Sequence, residues 1–237
     1  MSIIPIILKK KRMLLGSKLN YEAIAKKVIE DGNTVGWYDS QKIDTITKDG
    51  SDSVSKWADR LESGKDLVQG VGTLQPLYTD AGIVFDGISS NVFVDISDFN
   101  QPEMIYMVLN TVTYRNGAYF MDGNINNSGI YRFSDAENKT WVFAGFNSGV
   151  SDKLLLGVTG IVRILFNGAG SKFIVNDNTP ITGNFGPNNM RGLTLGSNFG
   201  QTNFGNIRFQ EVILRNIADS SDNEADIYNY LKNKYSL

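Results

Sequence analysis

The 237-residue chain contains no cysteine and no histidine, and it has only 5 prolines. Without cysteine no disulfide staples the fold. Without cysteine or histidine, a zinc site of the usual thiolate and imidazole kind is excluded. A Ser-His-Asp triad, a Cys-His dyad and a histidine general base are excluded as well. Long hydrophobic runs are also missing: the longest unbroken apolar stretches fall far short of the roughly 18 residues that a membrane-spanning helix needs. Charge of one sign is not in excess, since 23 Lys and Arg face 25 Asp and Glu for a formal net charge of -2. With 41% apolar and 20% charged residues, the chain is ordinary for a globular protein that buries a sizeable core.

Charge is unevenly placed. Residues 1–30 carry Lys9, Lys10, Lys11, Arg12, Lys18, Lys26 and Lys27 against Glu22 and Glu30. The rest of the chain is acidic, so a basic arm precedes an acidic body. The arm opens with Ile3, Ile4, Pro5, Ile6, Ile7 and Leu8, directly before Lys9, Lys10, Lys11 and Arg12. A secretory signal places its charge ahead of the apolar stretch, so this order is the wrong one. Pro5 and the β-branched isoleucines favour extended backbone. An extended apolar segment without a partner is an aggregation hazard. One reading tucks it into the protein's own core or leaves it disordered. The other docks Ile3, Ile4, Ile6, Ile7 and Leu8 on another subunit, with Lys9–Arg12 meeting an acidic surface. Four cations in a row without interleaved aromatics are weak evidence for nucleic-acid binding, and neither a nucleic-acid nor a membrane partner is expected.

Residues 20–31 read as a helix, with Asn20 as its cap, Tyr21, Ile24, Val28 and Ile29 on one face, and Gly32 as its stop. Residues 1–32 are thus expected to form an anchoring arm and connector, and residues 33–237 the body. From Thr34 onward, short apolar and β-branched clusters alternate with Gly, Asn and Asp turns; Met104–Thr113, Trp141–Phe143, Leu154–Val158 and Ile207–Leu214 are examples. Many short strands with turn chemistry between them predict an all-β antiparallel sandwich. Near the end, Ser221 and Glu224 stand at capping-box spacing before Ile227, Tyr230, Leu231 and Tyr235, which predicts a C-terminal helix.

The body carries a string of motifs: Trp37-Tyr38-Asp39; Val54 to Asp59 with Gly64 to Gln69; Gln75-Pro76 and Gly82 to Gly87; Phe173 to Asn176; Leu193 to Gly196; and Gly205 to Ile213 leading into Tyr230 to Tyr235. In this order they resemble the concanavalin-A-like, laminin-G-like jelly-roll superfamily, from about Gly36 to Tyr235, in the form common in bacterial and phage proteins. The resemblance implies a jelly-roll sandwich and no particular function, because the architecture hosts lectins, glycosidases, adhesion modules and virion proteins. Glycosidases of this fold resemble one another in an E-x-D-x-x-E strand motif that sets nucleophile and acid/base on one face. The seven glutamates here are Glu22, Glu30, Glu62, Glu103, Glu137, Glu211 and Glu224, and none stands in that motif; no catalytic residue is expected. Asp122 to Ser128 begins like a calcium loop, but Asn127 replaces the required glycine and Phe133 the closing glutamate. No metal or cofactor is therefore expected.

Glycan binding needs aromatic rings beside amide and carboxylate groups. Two tracts supply these types: residues 184–191, with Phe185, Asn188 and Asn189, and residues 198–206, with Phe199 and Asn203. An apolar-basic arm, a connector and a cysteine-free jelly roll together resemble structural proteins of tailed-phage virions, such as head fibres and capsid decoration proteins of the crAss-like group. That resemblance implies a non-enzymatic protein on the outer surface of a phage particle. Its arm would hold capsid or other virion proteins, its body would be displayed for adhesion, and it would form a homo-oligomer, a trimer by analogy with fibres. The alternative is a lectin-like module that binds polysaccharide.

Overall fold

The computed structural model describes residues 21–125, 128–133, 139–145, 150–153 and 156–237. The arm residues Ile3, Ile4, Ile6, Ile7, Leu8, Lys9, Lys10, Lys11 and Arg12 lie outside the described residues. Residues 21–33 and Asp219–Leu237 fall in one compact unit, and Thr34–Ala218 in another.

The larger unit is an antiparallel β-sandwich. Its first strands are β1 (Thr34–Asp39), β2 (Ile46–Lys48), β3 (Val54–Trp57), β4 (Leu67–Val68), β5 (Leu77–Thr79), β6 (Gly82–Asp86) and β7 (Val92–Asp95). Next come β8 (Glu103–Thr111), β9 (Tyr119–Asp122), β10 (Ile130–Phe133), β11 (Lys139–Phe143) and β12 (Val150–Lys153). The last are β13 (Thr159–Phe166), β14 (Ser171–Val175), β15 (Ile181–Gly183), β16 (Gly192–Leu195) and β17 (Asn206–Arg215). One sheet has the order β15-β14-β13-β8-β17-β6-β5, with β1 also on β17; the other runs β12-β11-β10-β9-β16-β7-β4-β3-β2. The all-β sandwich expected from the strand pattern is what the chain forms.

Strand character follows position. β8 lies between β13 and β17, all nine of its residues are buried, and its sequence is accordingly an almost continuous apolar run. β17 pairs with β8 along its length through a bulge at Gln210, where Phe209 faces Leu109 and Glu211 faces Val108. Its other side is shared, by β6 over Asn206–Phe209 and by β1 over Glu211–Arg215. Between the sheets, aromatic side chains interlock: Phe120 and Tyr131 of one sheet are 4.8 Å apart, and Tyr131 reaches Phe173 of the other at 5.7 Å. Trp57, Phe85 and Phe209 join the same core. Burial on this scale stabilises by about 25 cal/mol per Å² of apolar surface.

The smaller unit holds helix α1 (residues 21–29) and helix α2 (Ser221–Tyr235). In α1, Ala25, Val28 and Ile29 are buried, and Gly32 turns the chain at φ 90°. The cap of α2 differs by one residue from the sequence expectation. Ser220, not Ser221, is extended, and its side chain accepts from the Asn223 amide. With two serines adjacent, the one that keeps non-helical backbone takes the cap. Of the expected strand over Leu154–Val158, residues 154 and 155 lie outside the described residues; Leu156 makes an isolated bridge to Thr111, and Gly157 bends the chain at φ 71°.

Candidate functional site

On β10 and β11, Tyr131 and Val142 are cross-strand partners that point into the core. Side chains alternate along a strand, so their neighbours Arg132 and Trp141, also partners, point away from it. Arg132 is in turn opposite Tyr119 on β9, because the register shifts past Phe120. The result is a row across three strands on the outer face of the nine-stranded sheet. The Arg132 guanidinium carbon lies 5.7 Å from the Tyr119 ring centroid, 5.6 Å from that of Trp141 and 5.9 Å from that of Phe143. Cation–π contacts of this kind fix the arginine among the rings. Trp141 stands edge-on to Phe143 and is 38% exposed.

The loop after β16 adjoins this row. Gly196 opens it at φ 83°, where a Cβ would lie 2.1 Å from Phe85, so no other residue fits there. The loop is a tight ring: the Asn198 side-chain oxygen accepts from the Thr202 amide at 2.7 Å and its hydroxyl at 3.0 Å, and the Gln201 amide donates to the Asn198 carbonyl. Gln201 and Asn203 hold positive φ, at 54° and 53°, and backbone strain of this kind accumulates at functional loops. The Tyr119 amide donates to the Asn203 carbonyl at 2.8 Å, and Tyr119 bridges to Phe204. Phe199 is 43% exposed. Asn203 is therefore placed at the Tyr119 end of the row, and Phe199, in the same loop, is tied through its amide to Asp122 of the same strand as Tyr119.

The other proposed tract is elsewhere. Residues 184–191 lead into β16 and residues 196–205 lead out of it, so the two tracts sit at opposite ends of one strand. Phe185 is a correction: it is fully buried in the sandwich core and presents no ring to solvent. Asn188 and Asn189 serve the backbone there. The Asn189 side chain accepts from the Gln101 amide at 3.0 Å, and the Asn188 carbonyl accepts from the Gln101 side chain at 2.8 Å. These three residues form a structural loop clamped by Gln101, whose side-chain oxygen also accepts from the Gly168 amide.

The sequence holds no paired-carboxylate motif, but strand register brings two carboxylates together. Asp39 of β1 is directly opposite Glu211 of β17, an unfavourable pairing of like charges unless both are compensated. Arg60 bonds Asp39 at 3.0 Å and stacks 3.6 Å above the Trp37 ring, while the Trp37 indole N–H donates to Glu211 at 2.7 Å. Both carboxylates are fully buried, so neither meets solvent. Beside it is an open cavity of about 350 Å³ lined by Lys42, Asp44, Thr45, Asp59, Arg60 and Glu62. It offers no aromatic face, since Arg60 covers Trp37. Among the described residues no group of three or more acidic side chains is placed to hold a metal ion. Asp122, the first residue of the calcium-like stretch, is buried and spends its oxygens on the amides of Gly123 and Phe199; Asn126 and Asn127 lie outside the described residues.

No family model matches the chain, and no curated protein matches it in sequence. The fold is similar to solved structures. Trypanosoma rangeli sialidase superposes with a TM-score of 0.63 at 11% identity, over 94% of this chain and 39% of the sialidase chain. The chain thus spans well under half the length of that protein. Domain 4 of AbnA, a GH43 extracellular arabinanase from Geobacillus stearothermophilus solved with arabinotriose, gives a TM-score of 0.58 at 12% identity, over 84% of this chain and 98% of that domain. A GH54 α-L-arabinofuranosidase gives 0.59 at 11%, over 76% of this chain and 50% of the other. At these identities the likeness is one of fold.

The row escaped the sequence reading for a physical reason. Trp141 and Phe143 sit in a strand with apolar residues on both faces, so alternation does not reveal which face meets water. The one usable signal was Lys139-Thr140-Trp141, a tryptophan two residues from an exposed lysine on the same strand.

Proposed function

We propose that this protein is a non-enzymatic carbohydrate-binding sandwich whose ligand lies across the outer face of the nine-stranded sheet. The observation that carries the reading is the Tyr119–Arg132–Trp141 row with Asn203 at its end and Phe199 in the same loop. Flat sugar faces stack on rings such as Trp141 and Phe199, while amide and guanidinium groups bond hydroxyls. The kinship in fold with a domain solved with arabinotriose supports polysaccharide as the ligand class. The facing Asp39 and Glu211 carboxylates are fully buried, so this pair is not placed to attack a bound glycan.

The test is a panel of plant and bacterial polysaccharides, arabinan oligosaccharides included, against the intact protein. Trp141→Ala is expected to lower the affinity of any binder at least tenfold, about 1.4 kcal/mol, with little change in unfolding midpoint. Binding that survives this change, or a panel without a binder, would overturn the reading.

We infer that the arm, through Ile3 to Arg12, holds the sandwich on the outside of a phage particle as a homo-oligomer. Apolar burial would supply affinity and the four cations a salt-dependent attraction, and several copies would convert a weak anchor into durable attachment. The sequence of the arm supports this. Removing residues 1–16 is expected to abolish incorporation into purified particles while the sandwich keeps its unfolding midpoint; incorporation of the truncated protein would refute it.

A further inference from the structure

Asp122 is the last residue of β9, opposite Thr194 of β16. Both are buried, at 2% and 1% exposure, although their position places them on the outer face, where Trp141 and Val68 are each 38% exposed. The loop of residues 196–205 and the turn after Asp122 both reach this spot. The Phe199 amide donates to one Asp122 oxygen at 3.0 Å, and the Gly123 amide donates to the other at 2.8 Å. One carboxylate therefore ties the start of one turn and the tip of the next to the end of the same strand.

We propose that Asp122 is the positioning residue for the Phe199 loop, seating it on the end of β9 with Asn203 against Tyr119, and that its state of ionisation sets how firmly the loop is held. The proposal rests on the carbohydrate-binding reading only for what the loop presents; the seating itself is a property of the fold. Burial raises the Asp122 carboxyl to about 6, against the opposing pull of the Phe199, Gly123 and Ser128 amides. Among the described residues of β9, β10, β16 and the turns beside it, the other ionisable side chains are Tyr119, Tyr131 and Arg132. On its own strand is Tyr119, whose hydroxyl burial pushes further up, and beyond it on β10 is Arg132, always charged. β16, the 196–205 loop and residues 123–128 contain no ionisable side chain.

The sign follows from linkage. Lifting the loop returns Asp122 to water, where its proton is held less tightly than under the loop. The seated state binds more protons between the two values, so falling pH favours seating and rising pH loosens it. Each unit of difference is worth a factor of ten.

Amide hydrogen exchange on the full chain, read at the amides of Phe199 and its loop and expressed as protection relative to core amides of β8, tests this without any glycan. In the wild type, loop protection is expected to rise about tenfold as pH falls from 7.5 to 4.5. Asp122→Asn, which cannot ionise, is expected to show a flat profile. Asp122→Ala, which removes both acceptors, is expected to lose at least tenfold of Phe199 protection at every pH while β8 stays protected. A pH profile in Asp122→Asn that matches the wild type, or unchanged Phe199 protection in Asp122→Ala, overturns the proposal. Failure of glycan binding with these exchange results intact would refute the ligand and leave the seating standing.

Discussion

Phe185→Ala is expected to destabilise the sandwich by about 3–5 kcal/mol, the usual cost of emptying a buried phenylalanine site. The residue is fully buried and belongs to the core that both sheets share. The backbone beside it has no room to collapse into the void. Gly186 holds φ 110°, and a Cβ there would lie 2.1 Å from the Ala144 carbonyl oxygen. The Ala144 amide donates to the Phe185 carbonyl, and Gln101 pins the Gly186 and Asn188 carbonyls. Phe199→Ala is the contrasting change: on an exposed loop it should alter stability by no more than about 0.5 kcal/mol. Urea unfolding of the two variants beside the wild type decides the matter. Equal midpoints would mean that Phe185 is not a core residue. The comparison also guards the binding assays, because any loss of glycan affinity in Phe185→Ala should track its unfolded fraction.

The second large effect concerns Glu103. It opens β8 at the inner face, fully buried, with one oxygen accepting from the Met190 amide at 2.6 Å and the other without a hydrogen-bond partner. Burial raises its carboxyl to about 8, so in the folded protein it keeps its proton at neutral pH. The unfolded chain ionises the same group near the ordinary glutamate value. Between these limits the folded state holds the extra proton, and stability falls as pH rises, by up to about 1.4 kcal/mol per pH unit. Below about pH 4 both states are protonated and the residue contributes no pH dependence. Glu103→Gln keeps an oxygen for the Met190 amide and cannot ionise. Its stability should match the wild type within about 1 kcal/mol at pH 5 and exceed it by on the order of 3 kcal/mol at pH 8.5. Unfolding curves at several pH values measure the difference directly. Parallel pH profiles for the two proteins would show that Glu103 is not held neutral.

Much of the scaffold was readable before the fold. The sandwich follows from β-branched clusters cut by Asn, Asp and Gly. Asp86-Gly87 reads as a turn and is one, with the Ile88, Ser89 and Ser90 amides converging on the Asp86 carboxylate and holding it ionised against its partial burial. Gly32 stops a helix, as its position after an apolar face suggests. The functional surface was harder. Phe185 sits among Gly, Asn and Pro, the composition of an exposed loop, yet the chain folds its ring inward. Asp39 and Glu211 are far apart in sequence and meet only because β1 takes the half of β17 that β6 leaves free. Tyr119 and Arg132 share a face only because the ladder slips one residue at Phe120. Each of these depends on register between distant strands, and local pattern carries no information about that.

The double pairing of β17 also has a bearing on how the protein is made. Three strands synthesised early, β1, β6 and β8, all hydrogen-bond to a strand that ends at Arg215. Until that stretch clears the ribosome their edges have no neighbour, and the tryptophan near the start of the body waits for a glutamate 174 positions later. The eight-stranded sheet can therefore close only after Arg215 has been made. Folding dominated by such distant pairings is slow, and until then these edges are exposed to misassembly and to chaperone capture.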